Sequence, residues 1–295
     1  MRLVVATRGS RLSLEQTRIA MGHISRLLGG LEWEPLIVRT KGDIVRDKPL
    51  YEIGVKGIFE KEVNKAVLEG RADLAVHSMK DLPSEIDDEL EIVYVPPRGP
   101  QNDVLVVRGL RVARIEDLPG GSRVGTSSVR RRALILYYNR EVEVAPIRGN
   151  VDTRLGKLER GEYDAIVLAE AGISRLGARV DYTRLSLDYF PPAPGQGMIA
   201  VVARRDNPLS RRLKSLIDPE TRAMMEAERS FLRHAEIGCH TAVGATSWVS
   251  NGNLFFVAAV LDPEGRGGYW VKMRGDPGKA SEVGRRAGLK VRSLT

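Results

Sequence analysis

Apolar residues in this chain fall into short runs that alternate with longer amphipathic stretches. Residues 2–6, Leu36-Ile37-Val38, Ala72-Asp73-Leu74-Ala75-Val76 and residues 90–95 each read as a buried strand. After Thr7-Arg8-Gly9-Ser10, a polar turn, Ser13 and Gln16 stand at capping-box spacing. Ala20, Ile24, Leu27 and Leu28 then repeat on one helical face until Gly29-Gly30. Phe59, Val63, Ala66 and Val67 predict a second helix ending at Gly70. Between the two, residues 40–57 carry Gly, Asp and Lys without periodicity and read as a mobile loop.

The pattern then repeats. Gly70-Arg71-Ala72-Asp73-Leu74-Ala75-Val76 resembles Gly161-Glu162-Tyr163-Asp164-Ala165-Ile166-Val167, and Val4-Val5-Ala6-Thr7 resembles Arg123-Val124-Gly125-Thr126. In each repeat a glycine ends a helix, a turn holds an acid and a strand follows. Two such modules predict two similar α/β lobes. Pro96-Pro97-Arg98-Gly99-Pro100 and Phe190-Pro191-Pro192-Ala193-Pro194-Gly195-Gln196-Gly197 are the breakers that bracket the second lobe. The strand-like run at 198–203 implies that the chain then returns to the first. Asp218-Pro219 opens a third region, with a helix carrying Met224, Ala227, Phe231 and Leu232, then strands at 254–261 and 269–273. The expected division is 1–97 plus 198–216, 98–197, and a small α+β domain at 217–295.

Composition narrows the function. The 295 residues carry 46 Lys+Arg against 38 Asp+Glu, a net charge of +8. An anionic partner follows, either nucleic acid or a polyanionic small molecule. Aromatic residues are only 5%, and no zinc-finger or RNP-type pattern occurs, which disfavours nucleic acid. No run reaches the ~18 apolar residues of a membrane helix. The single cysteine rules out an intrachain disulfide, so the cytoplasm is the expected compartment.

Candidate chemistry concentrates in three places. His77-Ser78-Met79-Lys80-Asp81-Leu82-Pro83 puts a cation and a carboxylate at the end of a buried strand, where α/β sheets bind ligands. The same stretch also fits a solvated turn. Gly125-Thr126-Ser127-Ser128 opens a helix whose first turn holds Arg130 and Arg131, and Arg132, Arg140, Arg148 and Arg154 follow. Cations are unfavourable at a helix N-terminus unless an anion offsets them. A basic surface is the alternative. The third is Cys239, between Gly238 and His240 in a loop, a nucleophile or an attachment point. No spaced His or Cys cluster indicates a metal. No Walker A sequence occurs, and Gly195-Gln196-Gly197 lacks the rest of a dinucleotide fingerprint.

These residues, taken in order, resemble the porphobilinogen deaminase family (hydroxymethylbilane synthases). The matching pieces include Ala6-Thr7-Arg8-Gly9-Ser10, Gly54-Val55-Lys56-Gly57-Ile58-Phe59, His77–Pro83 as above, Gly125-Thr126-Ser127-Ser128-Val129-Arg130-Arg131, Arg148-Gly149-Asn150, Thr153-Arg154-Leu155, Ser174-Arg175-Leu176-Gly177, Pro194-Gly195-Gln196-Gly197 and Gly238-Cys239. The resemblance implies two periplasmic-binding-protein-like (type II) lobes with mixed sheets and a small α+β C-terminal domain. It implies a transferase that joins four porphobilinogen molecules head to tail, with release of ammonia, on a dipyrromethane cofactor bound through Cys239. By resemblance, Asp81 is the acid/base. Lys80, Asp81, Thr126, Ser127, Ser128, Arg130, Arg131 and Gly149 bind the cofactor. Arg8, Ser10, Arg148, Arg154, Arg175 and Gln196 bind substrate. The enzyme is expected to be a cytoplasmic monomer with no metal, nucleic acid or membrane partner. A two-lobed binding protein for an organic polyanion is the rival reading.

The chain departs from the family pattern in places. Ile237 stands where glycine is expected, His240 where glutamine is common, and Arg11 where proline is frequent. The C-terminus beyond Gly284 is short for a final helix, and Gly288 weakens it further.

Overall fold

Alternating apolar and amphipathic stretches become alternating strands and helices in the computed structural model, which describes residues 2–40, 60–236 and 242–294. The strands are β1 (Arg2–Arg8), β2 (Glu32–Val38), β3 (Leu74–Ser78), β4 (Leu90–Tyr94), β5 (Asp103–Val107), β6 (Arg123–Gly125), β7 (Glu143–Ala145), β8 (Ala165–Ala169), β9 (Thr183–Arg184), β10 (Ile199–Arg204), β11 (Ala242–Ser250), β12 (Asn253–Leu261) and β13 (Gly268–Gly275). The helices are α1 (Arg11–Leu28), α2 (Lys61–Leu68), α3 (Val129–Tyr138), α4 (Val151–Glu159), α5 (Glu170–Leu176), α6 (Ser210–Ser215), α7 (Pro219–Ala235) and α8 (Ala280–Arg292). The loop expected at 40–57 lies, except for Thr40, outside the described residues, as do Phe59, Ile237, Cys239 and His240.

Contacts divide the chain into two units, Met1–Gly99 with Gly197–Met225, and Pro100–Gln196 with Glu226–Thr295. The first holds a five-stranded sheet of order β2-β1-β3-β10-β4. β1 runs parallel to β2 and β3, while β10 is antiparallel to β3 and β4. The returning strand is therefore real, and it makes the sheet mixed. Helix α1 is capped by Ser10, whose side chain accepts from the Ser13 backbone N–H at 3.2 Å. The cap is thus three residues earlier than the Ser13–Gln16 spacing suggests. Gln16 is buried instead and hydrogen-bonds Ser78 at 2.8 Å.

The second unit repeats the design, with sheet order β7-β6-β8-β5-β9. β6 pairs parallel with β7 and β8, and β5 is antiparallel to β8. The sequence repeat has a structural meaning. Asp73 Oδ2 accepts from Val4 N at 2.7 Å, and Asp73 N donates to Val4 O at 2.8 Å. Asp164 does the same to Arg123, at 2.8 and 2.9 Å. In each unit the acid thus locks the incoming strand onto the first strand of the crossover. Gly70 and Gly161, with φ of 70° and 76°, turn the chain into that lock.

The antiparallel sheet β11-β12-β13 also belongs to the second unit. One apolar cluster joins Leu134 and Ile135 of α3, Val124 and Val167 of the lobe sheet, and Ala242, Ala259 and Leu261 of this sheet. Helix α8 forms despite its two glycines, and those glycines explain its position. A Cβ on Gly284 would fall on the Ala227 backbone of α7, 2.8 Å from its carbonyl carbon; one on Gly288 would lie 2.8 Å from Phe231 O. Spaced one turn apart, they let α8 approach α7 backbone to backbone. Gly284→Ala gains about 1 kcal/mol of helix propensity but forces the helices apart, at a typical cost of ~1–3 kcal/mol. The expected outcome is a lower Tm in thermal unfolding; an unchanged or higher Tm would contradict this packing.

Candidate active site

In the first unit, four of the five residues of β3 are buried. The strand ends in a single 3-10 turn, Met79–Asp81, closed by Leu82 N donating to Met79 O at 3.1 Å. Met79 and Leu82 are both buried at 4% exposure. They pin the turn from either side and leave Lys80 and Asp81 exposed between them. Pro83 follows and prevents the turn from winding on. Hence a buried strand delivers a carboxylate to solvent on a backbone that is fixed at both ends.

The electrostatics are set by near neighbours. Protein packed around Asp81 pushes its carboxyl up from the ordinary aspartate value, while Lys80 and Arg8 pull it down. Water still reaches the side chain, so it can exchange protons. Arg8 ends β1, which pairs with β3. His77 is buried and donates through Nε2 to Asn64 Oδ1 at 2.8 Å. Burial, reinforced by the charge of Arg8, lowers its pKa to about 3. It is therefore neutral and structural near pH 7. Ser10, assigned to substrate by resemblance, spends its hydroxyl on the α1 cap and on Ser13 Oγ at 2.7 Å.

In the second unit a helix does open after Gly125-Thr126-Ser127-Ser128; Ser128 caps α3, accepting from Arg131 N at 3.4 Å. Thr126, buried, accepts from Ser128 N at 3.2 Å. Ser127 Oγ donates to Ile147 O at 2.7 Å and so ties the ends of the two chain segments. Arg130 and Arg131 are each 7% exposed, which no basic surface would require. Both bind one carboxylate, Asp103, at 2.7 and 2.6 Å. Arg130 also donates to Pro191 O, and Arg131 to Val167 O. Gln196, itself buried, donates to Asp103 Oδ1 and to Gln101 O, both at 2.9 Å. Burial works against ionisation of Asp103, but both guanidinium charges and the hydrogen bonds from Arg131 and Gln196 hold its carboxyl well below the usual range.

The cluster is two cations around one anion. Arg131 Nε, moreover, is buried without an acceptor among the described residues. A ligand carboxylate would meet both deficits, so these residues fit an acidic cofactor. Arg154 lies close enough to feel the charge of Arg131; burial, with that charge, lowers its pKa to about 10. Its Nε donates to Gly149 O at 2.8 Å; Gly149 has φ of 115° and a Cβ there would strike Thr153 at 2.6 Å, so both the backbone and the space require glycine. Arg175 on α5 is lowered to about 10 by burial. Arg148 is half-buried just before α4. Arg132 and Arg140 turn instead to the β12–β13 connection, at Glu264 and Gly265 O. Asp103 escaped sequence reasoning; its only signal is an acid leading into the uninterrupted apolar run Val104-Leu105-Val106-Val107.

Two mixed α/β lobes of one design, one bearing a carboxylate at a strand end and the other buried guanidinium in excess of its counter-charge, define a two-lobed protein for a carboxylate-bearing ligand. Residues 3–212 match the family model "Porphobilinogen deaminase, dipyromethane cofactor binding domain", and residues 223–293 match "Porphobilinogen deaminase, C-terminal domain". A probable porphobilinogen deaminase of Hyperthermus butylicus is 51% identical over all of this chain and 97% of its own length. That of Ignicoccus hospitalis is 48% identical over all of this chain and 96% of its own. The chain belongs to the porphobilinogen deaminase family. It is thus a transferase of tetrapyrrole biosynthesis that polymerises porphobilinogen and carries a dipyrromethane cofactor.

Among solved structures, the periplasmic aliphatic sulphonate binding protein SsuA from Escherichia coli is similar with a TM-score of 0.41 at 13% identity, over 79% of this chain and 70% of that one. The probable amino-acid ABC transporter extracellular-binding protein ytmK from Bacillus subtilis gives 0.42 at 12%, over 73% and 89%. No described helix is long and apolar enough to cross a membrane.

Proposed function

We propose that Asp81 is the proton-transferring carboxylate in the joining of four porphobilinogen units into hydroxymethylbilane. The observation that carries this is its position: a carboxylate of raised proton affinity, exposed on a pinned turn at the end of a buried strand. Protonated, Asp81 gives its proton to the aminomethyl nitrogen, which departs as ammonia. As the carboxylate it then faces the delocalised cation left on the substrate and stabilises it electrostatically. When the new carbon–carbon bond forms, the ring carbon loses a proton, which returns to Asp81. One proton leaves and one is regained, so the group is reset for the next unit.

The cofactor, when bound, supplies the nucleophilic pyrrole carbon to which the first unit is joined. Cys239 is the attachment point by resemblance, and a soft thiolate suits bonding to an electrophilic carbon. Arg131, with its spare buried N–H, Arg130, Lys80, Thr126, Ser127, Ser128 and Gly149 are the proposed cofactor set. Arg8, Ser10, Arg148, Arg154, Arg175 and Gln196 are the proposed substrate set. In this reading Gln196 and Ser10 act by holding Asp103 and the start of α1. We place the enzyme in the cytoplasm, as a monomer; a single cysteine, which forms no intrachain disulfide, suits that compartment.

Incubating the purified protein with porphobilinogen tests the proposal. Ammonia and hydroxymethylbilane should appear in a ratio of four to one. Tight binding of porphobilinogen without ammonia release would instead make the chain a binding protein.

A further inference from the structure

Glu228 of α7 is 1% exposed, and the proposed chemistry does not use it. Three donors converge on its carboxylate. Oε1 accepts from Ser247 N at 2.7 Å and from Ser247 Oγ at 2.8 Å, and Oε2 accepts from Gly195 N at 2.6 Å. The last contact has a local cause. Ala193-Pro194-Gly195-Gln196 is a tight turn, closed by Gln196 N donating to Ala193 O at 3.0 Å, with Gly195 at a φ of 79°. Proline followed by a glycine of positive φ is the pattern of a type II turn. The turn's own hydrogen bond uses the N–H of Gln196 and not that of Gly195. Gly195 is buried, so its N–H needs an acceptor, and Glu228 supplies it.

The turn belongs to a strap, residues 191–196, held from two sides within the second unit. On one side stand α7 and β11, the outer strand of its sheet. Glu228 takes Gly195 N, and Ala245 N donates to Pro192 O at 2.8 Å. Gly244 lets the strap pass, since a Cβ there would lie 2.9 Å from the Pro191 carbonyl carbon. On the other side is the arginine cluster. Pro191 O accepts from Arg130 at 3.0 Å, and Gln196 Nε2 donates to Asp103 Oδ1 at 2.9 Å. Asp103 is the carboxylate that Arg130 and Arg131 share. Glu228 and the cluster thus grip adjacent residues of one turn, Gly195 and Gln196.

We infer that Glu228 is a positioning residue for Arg130 and Arg131. By holding Gly195 N it fixes the turn that presents Gln196 to Asp103, and so fixes the carboxylate on which both guanidiniums rest. The inference rests on the reading of that pair as cofactor-binding. A carboxylate suits the place because Ser247 N, Ser247 Oγ and Gly195 N all donate to it. Removing it strands the buried Gly195 N–H, and the turn can regain a partner only by moving. Movement of the turn carries Gln196 away from Asp103.

Arginine labelling of the purified protein by phenylglyoxal, located by peptide mass, tests this. Arg130 and Arg131 should label slowly in wild type, and the exposed Arg160 serves as the internal standard. Glu228→Met, close in volume and without an acceptor, should raise the labelling rate of the pair about 10-fold, the size of one hydrogen bond to a charged group. Intact mass should show a larger bare fraction, without cofactor. Glu228→Asp, the milder change, should move both readouts the same way by less. Ser247→Ala is the control: it lowers Tm through the same carboxylate but leaves Gly195 held, so labelling should stay at the wild-type rate. Gln196→Ala alone should reproduce the faster labelling. In that background Glu228→Met should add nothing to it while still lowering Tm, because the effect passes through Gln196. Glu228 variants that lose Tm with labelling unchanged, or effects of Glu228→Met and Gln196→Ala that simply multiply, overturn the inference. If labelling changes as stated while cofactor loading stays at the wild-type level, Glu228 positions the pair and the cofactor-binding role of the pair falls.

Discussion

Asp81→Asn turns over at least about 100-fold more slowly than wild type, the low end for loss of a positioned acid/base. The substitution keeps the size of the side chain and leaves Met79 and Leu82 to hold the turn. On the proposed reading, what it removes is the charge that faces the substrate cation and the site that accepts the ring proton. Cofactor already attached should stay attached, so the loss should fall on kcat. Asp81→Glu keeps a displaced carboxylate and should retain more activity. In wild type the acid limb of kcat should lie above the ordinary aspartate range, because packing raises this carboxyl against the pull of Lys80 and Arg8. Rapid single-turnover measurement of ammonia release separates chemistry from product release. Release at the wild-type rate from Asp81→Asn would remove Asp81 from the mechanism.

The second large effect belongs to a residue that holds two arginines in place. Asp103→Ala leaves two adjacent buried guanidiniums without their shared counter-ion. Breaking a buried ion pair from one side typically costs ~3–5 kcal/mol, a large share of the ~5–15 kcal/mol that stabilises a domain. Urea unfolding at pH 7 measures it. The sign with pH also follows. A depressed carboxyl contributes stability that is present above the unfolded aspartate value of about 3.9 and is lost as pH falls through the folded one. Wild type and Asp103→Ala should therefore differ by a constant amount near neutrality and converge only in strong acid. Asp206, whose pair with Arg204 is exposed, is the control: Asp206→Ala should scarcely alter stability. A similar small effect at Asp103 would show that the two arginines do not depend on it.

Local chemistry was legible wherever neighbours in sequence carry it. Gly70 and Gly161, each followed by a turn with an acid and then a strand, marked the two lobes because a positive φ and a strand lock are both encoded within a few residues. The helix opening after Gly125-Thr126-Ser127-Ser128 and the end of β3 in a polar turn before Pro83 were readable for the same reason. What failed was long-range. Arg130 and Arg131 stood out, but their partner Asp103 lies 27 and 28 positions away, at the head of the apolar strand β5, where nothing in the local sequence points to them. Gly284 and Gly288 looked like flaws in α8, since propensity knows nothing of the α7 backbone they admit. Strand β11 went unread because Gly244, Thr246 and Ser247 interrupt its apolar pattern. Two of those interruptions serve the interior: Gly244 packs on the Pro191 backbone, and Ser247 donates to the buried carboxylate of Glu228 at 2.8 Å.

Intact-mass spectrometry of the purified protein and of Cys239→Ala tests the central claim most directly. Wild type should carry the added mass of one dipyrromethane on its only thiol, and the alanine variant should have the mass of the bare chain. A bare wild-type chain that nevertheless converts porphobilinogen, or the same adduct on Cys239→Ala, would contradict the account.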